Sequence, residues 1–197
     1  MEIDMADFKK IVQMINFFAN KNRKLVISKL HALKLIFLAD RYHMRQYGTM
    51  ISNDEYWAMQ FGPVPSCAKN IAEMSSRIAP EILDYASRYL TVPAANLVKS
   101  VAPVDCDQLG RTELEALDFA FSVFMTENDI VEVTHRLPEW KNHEDRLLNG
   151  ATRVKMDPLD FFTPIPGKDY GGNASVQRLN LAKEIFIEDT GINRALA

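Results

Sequence analysis

Histidine and cysteine are the side chains of this 197-residue chain that could bind a metal ion or attack a substrate. His31, His43, His135 and His143 do not stand at metal-binding spacings such as H-E-x-x-H. Cys67 is predicted to lie in the first turn of a helix, where the helix dipole can favour a thiolate, but the sequence places no base beside it. We therefore expect no catalytic residue, no metal and no cofactor, and Cys67 is kept as the candidate nucleophile of an alternative hydrolase function.

Aromatic and basic side chains offer a different chemistry, the recognition of another protein. Tyr, Trp and Arg dominate the binding energy of protein–protein interfaces. Such residues are concentrated between residues 41 and 61 and recur once near residue 140: Arg41, Tyr42, Arg45, Tyr47, Tyr56, Trp57, Phe61 and Trp140. We expect Phe61 to fill the core, whereas Tyr47 and Trp57 could lie either in the core or at an interface.

Many of these residues are carried by a predicted central helix. Ser28 is a suitable N-cap for a helix over Lys29–Tyr47, and Gly48 suits the left-handed position that ends a helix. Leu33–Ala39 is apolar on nearly every side, which is typical of a helix buried at the centre of a domain. The spacing of apolar residues predicts an amphipathic helix before it, over Asp4–Asn20.

A β-hairpin is predicted directly after the central helix. Thr49–Ile51 and Glu55–Phe61 favour strands, and the turn residues Ser52–Asp54 separate them. Gly62–Pro65 then predicts a sharp turn, and a third helix should begin at its end.

The second half of the chain predicts further short elements. Arg88–Val92 and Leu97–Val101 form a second candidate hairpin, and Thr112–Glu115 matches a capping box that begins a helix. Asp129–Arg136 is predicted as a short helix that ends before a proline. The segment Asp157–Asn173 is rich in Pro and Gly and is predicted as a loop or linker.

The chain closes with a last amphipathic helix, which Ser175 should cap and which should reach about Thr190 because Gly191 follows. Together these elements predict a mainly α (α+β) fold. We expect a compact helical domain with a central buried helix and one or two small β-hairpins.

Length and composition restrict the class of protein. A chain of this length with 47% hydrophobic residues suits one globular domain, or one domain with an appendage. Two cysteines make no disulfide framework, and the N-terminus lacks the basic start and apolar core of a signal peptide, so a cytoplasmic location is expected. No apolar run approaches the roughly 20 residues that span a bilayer, so no membrane partner is expected.

DNA binding is the alternative that the charge distribution raises. Seven basic residues lie between Lys21 and Arg45, opposed only by Asp40, and the order of helix, basic helix and hairpin resembles a winged helix. Against this, the net charge is -3, the pI is about 5.8, and the central helix is too apolar to lie in a DNA groove. Nucleic acid is therefore not the expected partner, and a DNA-binding repressor stays as an alternative.

Two segments of the central region resemble a known family. K-L-I-F-L-A-D-R-Y-H-M-R-Q-Y-G (residues 34–48) and I-S-N-D-E-Y-W-A-M-Q-F-G-P-V-P (residues 51–65) are similar to the signature of the SocA-like antitoxin family, also called the Panacea domain. Leu109–Leu117 resembles the second block of the family, and T-H followed by P-E-W within residues 134–140 resembles its ending. The resemblance covers about Phe8–Leu148.

The resemblance implies a mostly helical antitoxin of a toxin–antitoxin system, with a role in toxin neutralisation and phage defence. The cognate protein toxin would be bound by direct protein–protein contact. In one lineage the domain serves as an adaptor that delivers the toxin to a cellular protease, so a proteolytic adaptor is an alternative. Residues 1–150 would form the antitoxin domain, and residues 151–197 a linker plus a C-terminal helix that packs on the domain or on the partner. A homodimer is also compatible with this reading.

The motif positions also imply site residues. We expect the charged end of the central helix and the hairpin to be displayed together as one polar and aromatic patch. The predicted partner-binding residues are Asp40, Arg41, His43, Arg45, Tyr47, Asp54, Glu55 and Trp57. The predicted structural positions of the motif are Lys34, Gly48, Gly62, Pro63, Pro65, His135 and Trp140.

Overall fold

The structure is a computed structural model that describes residues 5–165 and 167–196, and the side chains of residues 8–165 and 167–191. Its helices are α1 (Met5–Asn20), α2 (Lys29–Tyr47), α3 (Ser66–Ala72), α4 (Pro80–Tyr89), α5 (Arg111–Thr126), α6 (Ile130–His135), α7 (Pro138–Lys141), α8 (Glu144–Leu148) and α9 (Val176–Leu196). Its strands are β1 (Val26–Ser28), β2 (Tyr56–Met59), β3 (Gly62–Pro65), β4 (Leu90–Ala94), β5 (Leu97–Ser100) and β6 (Val154–Lys155). The fold is mainly helical with two small antiparallel sheets, which confirms the predicted α+β class.

Helix α2 is the buried centre of the fold, and its predicted bounds are confirmed. Ser28 Oγ accepts the His31 N–H at 3.1 Å, and Gly48 ends the helix with φ 78° and donates to Met44 O. Every residue from Ala32 to Arg41 is buried, and α2 packs against α1, α5, α9 and β3. Because neighbours surround this helix, each of its polar side chains needs a partner inside the fold.

The first sheet, with strand order β1-β5-β4, lies beside α1. The predicted hairpin around residues 93–96 is confirmed as β4 and β5. Strand β1 adds to β5, with Ile27 opposite Val98, and both side chains are buried. This sheet therefore covers one side of the core beside α1, whereas the second sheet packs against α2 through β3.

The second sheet, with strand order β3-β2-β6, differs from the predicted hairpin. Strands β2 and β3 are joined at residues 60–61, so the predicted turn Gly62–Pro65 is a strand and the predicted strand Thr49–Ile51 is not. The amides of Ile51 and Ser52 donate to a side chain of α2, and they are therefore not available to a neighbouring strand. Prolines are tolerated in β3 because it is an edge strand.

Two predicted helix ends are wrong. Helix α5 begins at Arg111, and Glu113 Oε2 accepts the N–H of its N-cap Gly110 at 2.7 Å, so the Thr112–Glu115 box does not form. Helix α9 continues through Gly191, because a helical glycine costs only about 1 kcal/mol and packing against α2 supports this helix.

The segment predicted as a loop or linker, Asp157–Asn173, contains a 3₁₀ turn at Pro158–Phe162 and packs against the domain. The proposed division at residue 150 stays a prediction, although α9 and the 3₁₀ turn both contact α2. Among the helices of the described residues, none has both the length and the apolar character needed to cross a membrane.

Candidate protein-binding surface

The Asp40 carboxylate lies inside the fold, on the C-terminal half of α2. Oδ1 accepts the N–H groups of Ile51 and Ser52 at 2.9 and 3.0 Å, and Oδ2 accepts the hydroxyl groups of Tyr56, at 2.6 Å, and of Ser52. Burial raises the pKa of Asp40, and the four donors act in the opposite direction. Asp40 therefore fixes the chain that leaves α2 against the start of β2.

Asp54 caps helix α3 from a position outside the helix. Its oxygens accept the N–H groups of Glu55, Cys67 and Ala68, each at 2.8 Å. The first amides of a helix have no partner within it, so a carboxylate placed there satisfies them. Burial raises the pKa of Asp54 to about 6, although these backbone donors lower it. Asp54 thus joins the hairpin to α3.

Lys34 is a fully buried side chain beside the outer edge of β3. Its Nζ donates to Pro63 O at 2.7 Å, and burial lowers the pKa of Lys34 to about 7. Pro63 and Pro65 have no N–H groups, so this edge presents carbonyl groups that require a donor from α2. Gly62 has φ 94°, and a Cβ there would lie 2.7 Å from Thr134 Oγ1, so only glycine fits between α2 and α6.

Arg41 and Arg45, one helical turn apart on α2, form a buried cluster with Glu139 of α7 and with Asp169. Arg41 Nε donates to Glu139 Oε1 at 2.7 Å, and Arg41 Nη1 donates to the Asp169 carbonyl. Arg45 Nη2 donates to Asp169 Oδ2 at 3.0 Å. Within the described part of the chain, three buried atoms of this cluster make no hydrogen bond: Arg41 Nη2, Arg45 Nε and Glu139 Oε2.

The expectation that the charged residues form an exposed patch is therefore wrong. Asp40, Arg41, His43, Arg45 and Asp54 are all at most 9% exposed, and each one contacts other parts of the chain. A buried charge needs partners inside the fold, and the contacts of these residues with other parts of the chain give them a structural role. Their contribution to partner binding stays a prediction.

His43 and Tyr47 close the C-terminal end of α2 against α5. His43 Nε2 lies 3.1 Å from Thr112 Oγ1, and His43 Nδ1 lies 2.8 Å from Thr49 O. The Tyr47 hydroxyl donates to Glu115 Oε2 at 3.2 Å. Thr112 and Glu115 thus bind side chains of α2 instead of capping their own helix.

Glu55 and Trp57 are partly exposed on the outer face of the second sheet. Trp57 Nε1 donates to Glu55 Oε1 at 2.7 Å, and the Arg153 guanidinium lies over the Trp57 ring at 4.4 Å. Met59 and Val64 share this outer face with Trp57, since the alternate positions of β2 are buried. This face carries Glu55 and Trp57, the accessible hairpin residues of the predicted patch.

An apolar groove of about 750 Å³ lies between the N-terminal half of α2, the β2–β3 hairpin and helices α7 and α8. The expectation that Phe61 fills the core is wrong, because Phe61 is 62% exposed at the hairpin turn, and Leu148 is 78% exposed. Exposed apolar side chains gathered around a depression are typical of a protein-binding surface. The apolar residues that shape the groove include Leu30, Met59, Phe61, Val64, Trp140 and Leu148.

Trp140 and His135 hold one wall of this groove. Trp140 Nε1 donates to Met59 O at 2.9 Å, and its ring stacks on that of His135 with centroids 3.8 Å apart. Burial lowers the pKa of His135, and the nearby Lys34 charge lowers it further. The motif residues of α6 and α7 therefore fasten the hairpin to the helical domain.

Comparison with known proteins identifies the family. A family model described as "Antitoxin SocA-like, Panacea domain" matches residues 33–141, which is more than half of the chain. The chain belongs to this antitoxin family. Searches of curated proteins and of solved structures found no match. The SocA-like match contains Arg41, Arg45 and Glu139, whereas Asp169 lies beyond its end.

The sequence of this SocA-like protein does not reveal two features of the surface. Glu139 and Asp169 lie far along the chain from the arginines that they bind, so no local spacing connects them. The available signal is indirect: two arginines one turn apart on an apolar helix require buried counter-charges. The groove escapes sequence reasoning because α2, the hairpin and α8 meet only in the folded chain. Within the described residues, no group of three or more His, Cys, Asp or Glu side chains could hold a metal ion.

Proposed function

We propose that this protein is the cytoplasmic antitoxin of a toxin–antitoxin pair and that it neutralises its toxin by direct, stoichiometric binding without turnover. The observation that carries this proposal is the match of residues 33–141 to the SocA-like antitoxin family. The family supplies the antitoxin role, and the accessible surface of the chain supports binding as the means.

We assign the toxin contact to the groove and to the outer face of the hairpin beside it. Phe61 and Leu148 are the most exposed large apolar side chains of this region, and Trp57 lies on the same side of β2 as Met59. Burial of an exposed aromatic residue in a partner contributes about 2 kcal/mol or more at an interface hot spot. The fitting partner is therefore an apolar segment of the toxin.

Co-expression with the protein encoded beside this chain tests the antitoxin role. We expect growth to be rescued and the two proteins to co-purify in a fixed ratio. The antitoxin assignment fails if the toxin still kills and no complex forms. Rescue that disappears in a strain lacking the housekeeping protease would replace simple sequestration by delivery to that protease.

Two matched substitutions test the position of the contact. Phe61→Asp should abolish co-purification, since a carboxylate at the hairpin turn cannot enter an apolar contact. Met125→Asp is the control, because Met125 is similarly exposed, at 66%, but lines a different depression beside α1 and α5. If both variants bind the toxin like the unmodified protein, the groove is not the contact, although the antitoxin role stands.

A further inference from the structure

The arginine cluster of α2 receives most of its partners from outside the family domain. Arg45 Nη1 donates to Phe161 O at 2.7 Å and to Thr163 O at 3.0 Å, and Arg45 Nη2 donates to Asp169 Oδ2. Arg41 binds the Asp169 carbonyl in addition to Glu139. Both arginines belong to the matched domain, whereas residues 161–169 follow its end.

Residues Asp169–Asn173, here called the Asp169 loop, fit closely over α2. Asp169 Oδ1 accepts the N–H groups of Gly171 and Asn173 at 2.9 and 3.1 Å, so one carboxylate folds the loop and binds Arg45 at once. Gln46 Nε2 donates to Gly171 O at 3.2 Å. A Cβ at Gly171 would lie 2.7 Å from Arg41 Nη1 and closer still to Arg45 Cδ.

The Asp169 loop satisfies the arginines only in part. Arg41 Nη2 and Arg45 Nε are buried donors that make no hydrogen bond within the described residues. Glu139 Oε2 is a buried acceptor that likewise receives no hydrogen bond from these residues. A buried charged group that lacks hydrogen-bond partners destabilises the folded state. Contact with solvent, or with a ligand that supplies the missing partners, removes this destabilisation. A covering loop of this kind is easier to displace than a fully paired core contact.

We propose that Arg41 and Arg45 form a second toxin-binding surface, specific for a segment that bears a carboxylate, and that the Asp169 loop occupies this surface in the free protein. The toxin displaces the loop and presents its own carboxylate to the two guanidinium groups, where the donors left unused by Asp169 complete the pairing. This inference rests on the proposed antitoxin function and adds an acidic element to the apolar contact at the groove.

A first experiment examines the loop in the absence of toxin. Gly171→Ala keeps every charge and should lift the loop from α2, and Asp169→Asn should do so by removing the Arg45 partner. Hydrogen–deuterium exchange of the amides at positions 171 and 173 should accelerate about tenfold or more, because the Asp169 carboxylate that accepts both amides loses its anchor on Arg45 and the loop unfolds more often. Gly191→Ala is the matched control, since nothing lies within 4 Å of a Cβ at that position. Unchanged exchange in both loop variants would overturn the proposal.

The second experiment measures binding of the protein encoded beside this chain. Because a surface that is open for a larger fraction of the time binds more tightly, Gly171→Ala should lower the Kd about tenfold. Adding Arg45→Gln to Gly171→Ala should cancel that gain. If the loop opens but the Kd equals that of the unmodified protein, this inference is overturned and the proposed function stands. If none of the variants nor the unmodified protein binds, the proposed function itself fails.

Discussion

The buried amine of Lys34 should make the stability of this protein rise with pH above neutrality. Folding lowers the pKa of Lys34 from 10.5 to about 7 because burial penalises the charged form. Between these two values the unfolded chain holds a proton that the folded protein lacks. The free energy of unfolding therefore increases with pH through this window, and Lys34→Met should remove that increase.

The magnitude follows from the two pKa values of Lys34. Their full difference corresponds to roughly 5 kcal/mol, since a factor of ten in proton affinity equals about 1.36 kcal/mol. Between pH 7 and pH 9 the linkage gives about 2 kcal/mol, because Lys34 is half protonated in the folded state at pH 7. Lys34→Met also loses the hydrogen bond to Pro63 O, and this loss lowers the free energy of unfolding equally at every pH. The change of stability with pH is therefore the informative quantity.

Urea unfolding at pH 7, 8 and 9, followed by far-UV circular dichroism, measures this effect. The unmodified protein should gain about 2 kcal/mol over Lys34→Met across that range. Lys24→Met, at an exposed lysine, should follow the unmodified protein. Titrations of other groups are common to all three proteins and cancel in the comparison. Parallel stability curves for the unmodified protein and Lys34→Met would refute the reasoning, since the buried amine would then keep its proton.

Three further substitutions separate structural from binding residues. Gly48→Ala should lower the free energy of unfolding by about 2 kcal/mol in thermal denaturation, because it adds a Cβ at φ 78° against α9, whereas Gly191→Ala should not. Asp40→Ala should cost about 3–5 kcal/mol in urea, since it orphans four buried donors; an effect no larger than that of the exposed Asp84→Ala would contradict this role. Trp57→Ala should keep the circular dichroism spectrum but weaken toxin binding by about 2 kcal/mol in calorimetry, and unfolding of this variant would assign Trp57 to the core.

The parts of the fold that local chemistry specifies are predictable from the sequence. Helix α2 has a side-chain cap at Ser28, an apolar interior and a left-handed glycine at its end, and all three signals agree with its observed bounds. The hairpin around residues 93–96 is equally local. Such elements require no knowledge of distant residues.

The wrong predictions arise where distant side chains compete for local groups. Thr49–Ile51 suits a strand, but Asp40 binds the amides of Ile51 and Ser52, and the hairpin forms further along the chain. Thr112 suits an N-cap, but His43 lies against its hydroxyl, and the helix begins at Arg111. In each case a buried side chain of α2 has the greater need for a partner.

The candidate site is less predictable than the fold, because the presence of charged side chains on a helix does not show whether those side chains are buried or exposed. Arg41 and Arg45 suit a displayed surface, yet their counter-charges come from positions 98 and 124 residues further along the chain. Conversely, Phe61 suits the core and is exposed, since a two-residue turn holds it outside the sheet. Only the folded chain decides which of these side chains a partner can reach.

During synthesis, the arginines of α2 are made before Asp169, which lies 124 residues beyond Arg45 in the chain. The domain that holds the arginines includes Glu139, the partner of Arg41, and at about 5–20 residues per second Asp169 follows Glu139 by roughly 1.5–6 s. During that interval the nascent chain carries the two arginines without the loop that later covers them. A toxin made from the neighbouring gene would meet this surface before its internal competitor exists. On the proposed mechanism, the order of translation would let the toxin bind the arginines before the Asp169 loop is made.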